Sequence, residues 1–242
     1  MASAASAYRD EYTGGEYGKK HPDWHMSEAP AKAEDLYPGL EAILRKLQTP
    51  VLRLADVGAG TGAVLDAILR KLSKSHSDLK VQATGFELAP DAIELATRHF
   101  PGLPMRQKPF EPGDGPFDVV MFVDVLEHVE NPWELLRTAR SESRFMLVRQ
   151  PLLGGYSEFR HSNYAYQRNH WGHISYFNYR SFLDLADACG WQPLKVDLVA
   201  PWELATTPDG AGGTLIKRLL TRWDREWASF ILSGFYLNGA FQ

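Results

Sequence analysis

Leu54-Ala55-Asp56-Val57-Gly58-Ala59-Gly60-Thr61-Gly62 reads as a buried strand running into a glycine turn that opens a helix near Ala63. Leu52, Leu54, Ala55 and Val57 supply the apolar run of a central parallel strand. Glycines at the alternate positions 58, 60 and 62 remove the Cβ atoms that would keep a ligand from the backbone. The helix start then offers unpaired N–H groups to whatever is bound beside it. A plain strand-to-helix turn with no ligand has similar glycines, so the neighbours of this turn must decide. Gly58, Gly60 and Ala63 formally satisfy the G-x-G-x-x-G/A spacing of a dinucleotide site. Asp56, two residues before the first glycine, argues the other way. A carboxylate at that strand end suits a cationic ligand and repels a pyrophosphate.

Two further landmarks follow in order. Val81-Gln82-Ala83-Thr84-Gly85-Phe86-Glu87 is a short strand ending in a carboxylate that can accept from the hydroxyls of a ribose. Pro90 opens the next helix, with Asp91 and Glu94 at its positive end. Phe117-Asp118-Val119-Val120 starts a third apolar strand, which leads into Asp124-Val125-Leu126-Glu127-His128-Val129. The D-x-G-x-G-x-G turn, the strand-end Glu87 and the F-D-x-V strand with its E-H-V-like tail resemble the class I S-adenosylmethionine-dependent methyltransferases over roughly residues 51–150. That resemblance implies an α/β fold with a doubly wound, mainly parallel seven-stranded sheet and helices on both faces. It implies S-adenosyl-L-methionine as cofactor, the turn cradling its amino-acid part. The cofactor contacts it implies are Asp56, Gly58, Ala59, Gly60, Thr61, Gly62, Glu87, Leu88, Asp124 and Val125.

The chain has 242 residues, 44% of them hydrophobic, enough for one large core with additions. A formal charge of -4 gives no electrostatic footprint for nucleic acid, which is not expected as a partner. No stretch approaches the ~20 consecutive apolar residues of a membrane span, and Met1 to Ala7 has neither the basic flank nor the apolar core of a secretory signal. A cytoplasmic enzyme without a membrane partner is the expectation. Cys189, the single cysteine, rules out an internal disulfide framework and a cysteine-based zinc cluster, and reads as a small core residue.

Around the landmarks the chain divides into an N-terminal extension or lid (1–50), a core (51–200) with a substrate-facing insertion near 152–178, and a C-terminal part (201–242). The extension carries Tyr8, Tyr12, Tyr17, His21, Trp24 and His25, followed by a helix over about 33–47. Strands are expected at 103–107, 145–148 (broken by Pro151 and Gly154-Gly155) and 194–199, with helices from Pro132 and over 180–188, the latter capped by Gly190. The stretch 214–232 is helical, and Trp223, Trp227 and Phe230 at its spacing suggest core or a self-association surface, so a homodimer is considered. A last strand, antiparallel in the resembling family, falls within 230–241.

Proton chemistry at neutral pH points first to histidine, whose ordinary pKa is about 6.5. His128 and His173 are the catalytic candidates. Were a helix to open at Asp124, then Asp124, Glu127 and His128 would share one face and could hold a divalent ion. The favoured alternative is a structural role with no metal. His170 and His173 form H-x-x-H, but Gly172 speaks against a helical metal pair. The acceptor is expected to be a small molecule offering a hydroxyl or amine, with Tyr12, Tyr17, His170 and Tyr176 as binding candidates. The absence of a D/N-P-P-Y/F segment after the fourth strand disfavours methylation of exocyclic amines on DNA bases. Two competing readings are an NAD(P)-dependent oxidoreductase, which would need a Tyr-x-x-x-Lys or similar apparatus, and a methyltransferase-like binding protein without turnover.

Overall fold

Strand β1 (Val51–Val57) lies at the centre of the sheet because both its faces are apolar: Leu52 and Leu54 point to one side, Ala55 and Val57 to the other. The computed structural model describes residues 12–161, 163–203, 214–232 and 234–242. Tyr8 and the other residues before Tyr12 lie outside that range.

Strands β2 (Lys80–Glu87), β3 (Met105–Gln107), β4 (Phe117–Val123), β5 (Ser143–Leu152), β6 (Pro193–Val199) and β7 (Phe235–Phe241) complete one seven-stranded sheet of order β3-β2-β1-β4-β5-β7-β6. β1 to β5 pair in parallel, whereas β7 runs antiparallel to both β5 and β6. The doubly wound, mainly parallel sheet expected from the sequence is therefore present, closing strand included. The order reverses between β1 and β4, and ligands in such sheets sit outside the strand ends at that reversal.

Helices α1 (Glu16–Lys20), α2 (Ala29–Leu47), α3 (Ala63–Ser75), α4 (Pro90–His99), α5 (Pro132–Glu142), α6 (Tyr156–His161), α7 (Tyr179–Ala188), α8 (Leu215–Trp223) and α9 (Arg225–Ile231) surround the sheet. β4 shows how two cores arise from period-2 alternation. Val119 and Met121 join Leu36, Leu40 and Ile43 of α2 and Leu65 of α3, while Val120 and Phe122 join Leu136 of α5 and Phe182 of α7. Burying each such side chain contributes about 1.5–3 kcal/mol. Cys189 is buried in the second of these cores, as expected of a small apolar residue.

Three details differ from the sequence expectation. β5 does not break at Pro151. Beyond Arg149 its β4 neighbour has ended, so the missing N–H of Pro151 interrupts no ladder on that side, and β7 carries the strand to Leu152. Chain 167–171 forms a π-helical turn, which Gly172 ends at φ 76°. Trp223 and Trp227 are not core: they are 80% and 58% exposed. Among the described residues no helix is long and apolar enough to cross a membrane.

Candidate active site

The glycine turn is built for close approach. Gly58, Gly60 and Gly62 all have positive φ (70°, 53° and 75°), which an L side chain adopts only under strain. The N–H groups of Gly58 and Ala59 donate to the Phe86 carbonyl at 2.9 and 3.0 Å, so the turn is tied to the end of β2. A Cβ on Gly58 would come within 2.9 Å of Val125, which brings the loop after β4 against the turn. At Gly60 the nearest neighbour is the Trp24 ring at 3.6 Å, so a Cβ there would just touch that ring and a longer side chain would extend into the cavity both residues line.

Glu87 stands at the end of β2. Its Oε2 accepts from Gly60 N–H at 2.7 Å, and its Oε1 accepts from the N–H groups of Leu88 and Ala89 at 2.7 and 2.8 Å. Three of about four acceptor sites are thus used, and a ligand diol would share Oε2 with Gly60. Burial raises the Glu87 carboxyl against the pull of those three donors. Asp56 is buried nearby. Burial first, and then the charge of Glu87, push it up to about 8. Two buried acids at one turn favour a ligand that brings positive charge, and this is the feature by which the site fits a sulfonium-bearing amino acid.

Asp56 makes a clear pH prediction. Its ordinary value is 3.8, so between there and about 8 the folded chain holds a proton that the unfolded chain has released. Stability from this group therefore falls as pH rises through that window. His173, with its folded value lowered from 6.5 to about 3, acts in the opposite sense but only below 6.5. From pH 6.5 to about 8 the melting temperature of the unliganded protein should fall, and Asp56→Asn should flatten the slope. Equal slopes in thermal melts of the two proteins would contradict this assignment.

The loop after β4 carries the second half of the site. Asp124 does not open a helix. It has φ 55°, and a short 3-10 turn follows at Leu126–His128. Arg149 and Lys32 grip its carboxylate at 2.5 and 3.0 Å and hold it at about 2 although burial pulls the other way. Asp124 is thus engaged by two cations. The ligand-type atoms that gather within 4.8 Å of one another are instead those of Glu127, His128 and His173.

His173 reaches this cluster because the N–H groups of Ile174 and Ser175 donate to the Glu127 carbonyl at 2.8 and 2.9 Å. The rings of His128 and His173 lie 4.8 Å apart. Burial and then His128 lower His173 to about 3, so it is neutral at any working pH, and its Nδ1 has no hydrogen-bond partner among the described residues. Nδ1 of His128 lies 3.1 Å from the Gly172 carbonyl and 2.8 Å from the Tyr12 hydroxyl. Donation from Nδ1 to the Gly172 carbonyl would leave the lone pair on Nε2, whereas donation from the Tyr12 hydroxyl to Nδ1 would place the proton on Nε2. Nε2 is 3.8 Å from Oε1 of Glu127, whose carboxyl burial and Asp124 raise well above its ordinary value. Burial thus works against the carboxylate form that a cation would need at Glu127. Turnover is therefore expected to survive chelator. Loss with chelator and rescue by one divalent ion would assign these three side chains to a metal.

A single cavity of about 1270 Å³ joins the two halves. Gly58, Ala59, Gly60, Thr61, Glu87, Leu88, Asp124, Val125, His128, His173, Tyr12 and Tyr17 line it, whereas Asp56 and Gly62 sit behind that wall. His170 and Tyr176 do not line it. The His170 carbonyl lies 3.2 Å from Nε2 of His21, and Tyr176 donates to the carbonyls of Tyr164 and His173. The N-terminal aromatics Tyr12, Tyr17, Trp24 and His25 line one side of the cavity. Tyr12 stacks on Tyr17, His21 stacks on Trp171 at 5.2 Å, and Trp24 donates to Asp91 at 3.2 Å. Two contributors escaped sequence reasoning. Lys32 looks like an ordinary solvated helix lysine, and the Lys108–Pro112 loop that lines the cavity follows a strand only three residues long. The position of that loop at a strand end beside the reversal was the available signal.

Comparison with known proteins agrees with this geometry. Residues 28–196 match a family model described as a methyltransferase domain. A ubiquinone biosynthesis O-methyltransferase from Caulobacter sp. (strain K31) is 33% identical over 93 residues, which cover 36% of this chain and 34% of that relative. The match thus spans about a third of the relative's length. The fold is that of a plantazolicin methyltransferase in complex with SAH (TM-score 0.62, 14% identity, covering 97% of this chain and 93% of the other). It is also that of a geranyl diphosphate methyltransferase in complex with SAM (TM-score 0.60, 16% identity, 99% and 94%).

Proposed function

Because the chain belongs to the methyltransferase-domain family, we propose that it transfers a methyl group from S-adenosylmethionine to a hydroxyl of a small, ring-bearing acceptor. One observation carries this reading: a single cavity holds the glycine turn and Glu87 at one side and His128 at the other. At about 1270 Å³ it exceeds the ~300–1,000 Å³ common for one small ligand, as two reactants side by side require. The hydroxyl is favoured by the O-methyltransferase name of the Caulobacter relative, and the ring by the aromatic walls of Tyr12, Tyr17, Trp24 and Trp171.

When bound, S-adenosylmethionine supplies a sulfonium whose methyl carbon is open to in-line attack. The chain does the rest. Ala59, Gly60, Thr61 and Leu88 shape the cofactor wall, Glu87 orients the ribose, and Asp56 lies behind that wall beside Glu87. Val125 and Asp124 fix the edge of the turn. Nε2 of His128 accepts the acceptor's proton, with the buried Glu127 carboxyl 3.8 Å away. Holding two reactants in line can contribute up to ~7–11 kcal/mol, so proton removal is a secondary aid. Mass spectrometry after incubation with methyl-labelled cofactor and hydroxylated ring compounds tests the reading. Labelled product on a ring oxygen supports it, and label confined to nitrogen-bearing acceptors overturns the choice of a hydroxyl.

A further inference from the structure

Helix α8 is amphipathic in an unusual sense, with its apolar stripe turned outward. Leu215, Leu219 and Trp223 follow one another at i, i+4 and i+8, with Ile216 beside them, and these four are 55–80% exposed. The protein-facing side is marked by Thr221, buried at 2% and donating to the Lys217 carbonyl. The helix is properly formed, since the Thr214 side chain caps the Lys217 N–H at 3.4 Å. α9 extends the patch with Trp227 and Phe230, and α6 packs against α9 and adds the 72% exposed Phe159. A contiguous apolar face of this kind marks an interaction surface.

Charge identifies what covers it. Within Leu215–Trp223 stand Lys217, Arg218 and Arg222 and no carboxylate, while the two acids that follow are engaged, Asp224 by the Trp227 N–H and Glu226 by Arg180. A second copy related by a two-fold axis would bring this cationic set against itself. An anionic surface with an apolar interior satisfies both the stripe and its basic flank. We propose that α8 and α9 dock this protein onto an anionic lipid bilayer, lying in the headgroup region without crossing it. The sequence expectation of no membrane partner rested on the lack of a spanning segment, and a surface-lying helix needs none. Gly234, which follows α9 closely in the chain, already lines the large cavity, so the docked face adjoins the cavity wall in sequence.

Co-sedimentation of the full chain with vesicles of phosphatidylcholine, with and without phosphatidylglycerol, tests the proposal. Binding should be at least ~10-fold tighter on the anionic vesicles and should weaken as salt rises. Leu219→Ser combined with Trp223→Ser should lower it by at least ~10-fold. Lys217→Gln combined with Arg222→Gln should remove the preference for phosphatidylglycerol. Melting curves and cofactor titration confirm that each variant is folded, since neither pair touches the glycine turn. Equal binding of the wild type to both vesicles, or no binding, overturns the proposal. So does light scattering that shows a dimer dissolved by Leu219→Ser with Trp223→Ser and no vesicle binding.

Discussion

Gly60→Val is expected to weaken binding of S-adenosylmethionine at least ~100-fold, a loss of about 2.8 kcal/mol, while the protein still folds. Two effects add. The residue has φ 53°, where a β-branched side chain is strained, and its Cβ would point at Trp24 across the cavity mouth, where the γ-methyls occupy the ligand's place. Gly62 is a poorer probe, because a Cβ there would lie 2.3 Å from Leu103 and disturb packing. Gly113→Val supplies the control: the same kind of positive φ (92°) with nothing within 4 Å. Calorimetric titration of both variants, with a melting curve for each, separates strain from ligand exclusion. Similar affinity in Gly60→Val and wild type would remove the turn from the cofactor site.

His128→Ala should lower turnover by ~10²–10⁴-fold at unchanged cofactor affinity, the range for a positioned general acid or base. His173→Ala should cost less than His128→Ala but more than His161→Ala, because His173 sits against His128 whereas His161 is exposed. The pH profile distinguishes the two partly buried rings. His173 has been lowered to about 3, so a rate that rises with pH near the ordinary histidine value cannot come from it. If His128 is the base, such a limb should persist in His173→Ala and vanish in His128→Ala. A limb of the same shape in all three proteins would make both histidines structural, with positioning as the whole contribution of the site.

Much of this was legible in the sequence because it depends on local signals. The apolar runs around Leu54 and Val120 gave the strands, and glycines at alternate positions gave the turn. Glu87 could be placed at a strand end because Pro90 fixes where the next helix begins. What escaped depends on contacts between distant segments. Nothing near Asp124 announces that Arg149 from the next strand and Lys32 from the N-terminal helix will converge on it, so its spacing to Glu127 and His128 suggested a shared helix face. His173 joins that pair through backbone bonds to Glu127, which leave no trace in side-chain identity. His170 and Tyr176 mislead for a related reason: polar aromatics in an insertion resemble site residues whether they face the cavity or hold its wall together.

The clasp on Asp124 also bears on how this chain can change over time. Lys32 is 13% exposed and Arg149 2%; they share the Asp124 carboxylate, and each has a second, more distant acid, Glu28 for Lys32 and Asp35 for Arg149. Replacing Asp124 alone leaves two neighbouring cations with only Glu28 and Asp35 to offset them, and replacing either cation leaves a carboxylate in a left-handed backbone position with half its cationic partners. Each single step is costly by itself, and the costs are not additive. The three positions therefore constrain one another: a change at one raises the cost of keeping the others as they are, and the end of β4 is tied to the N-terminal helix α2.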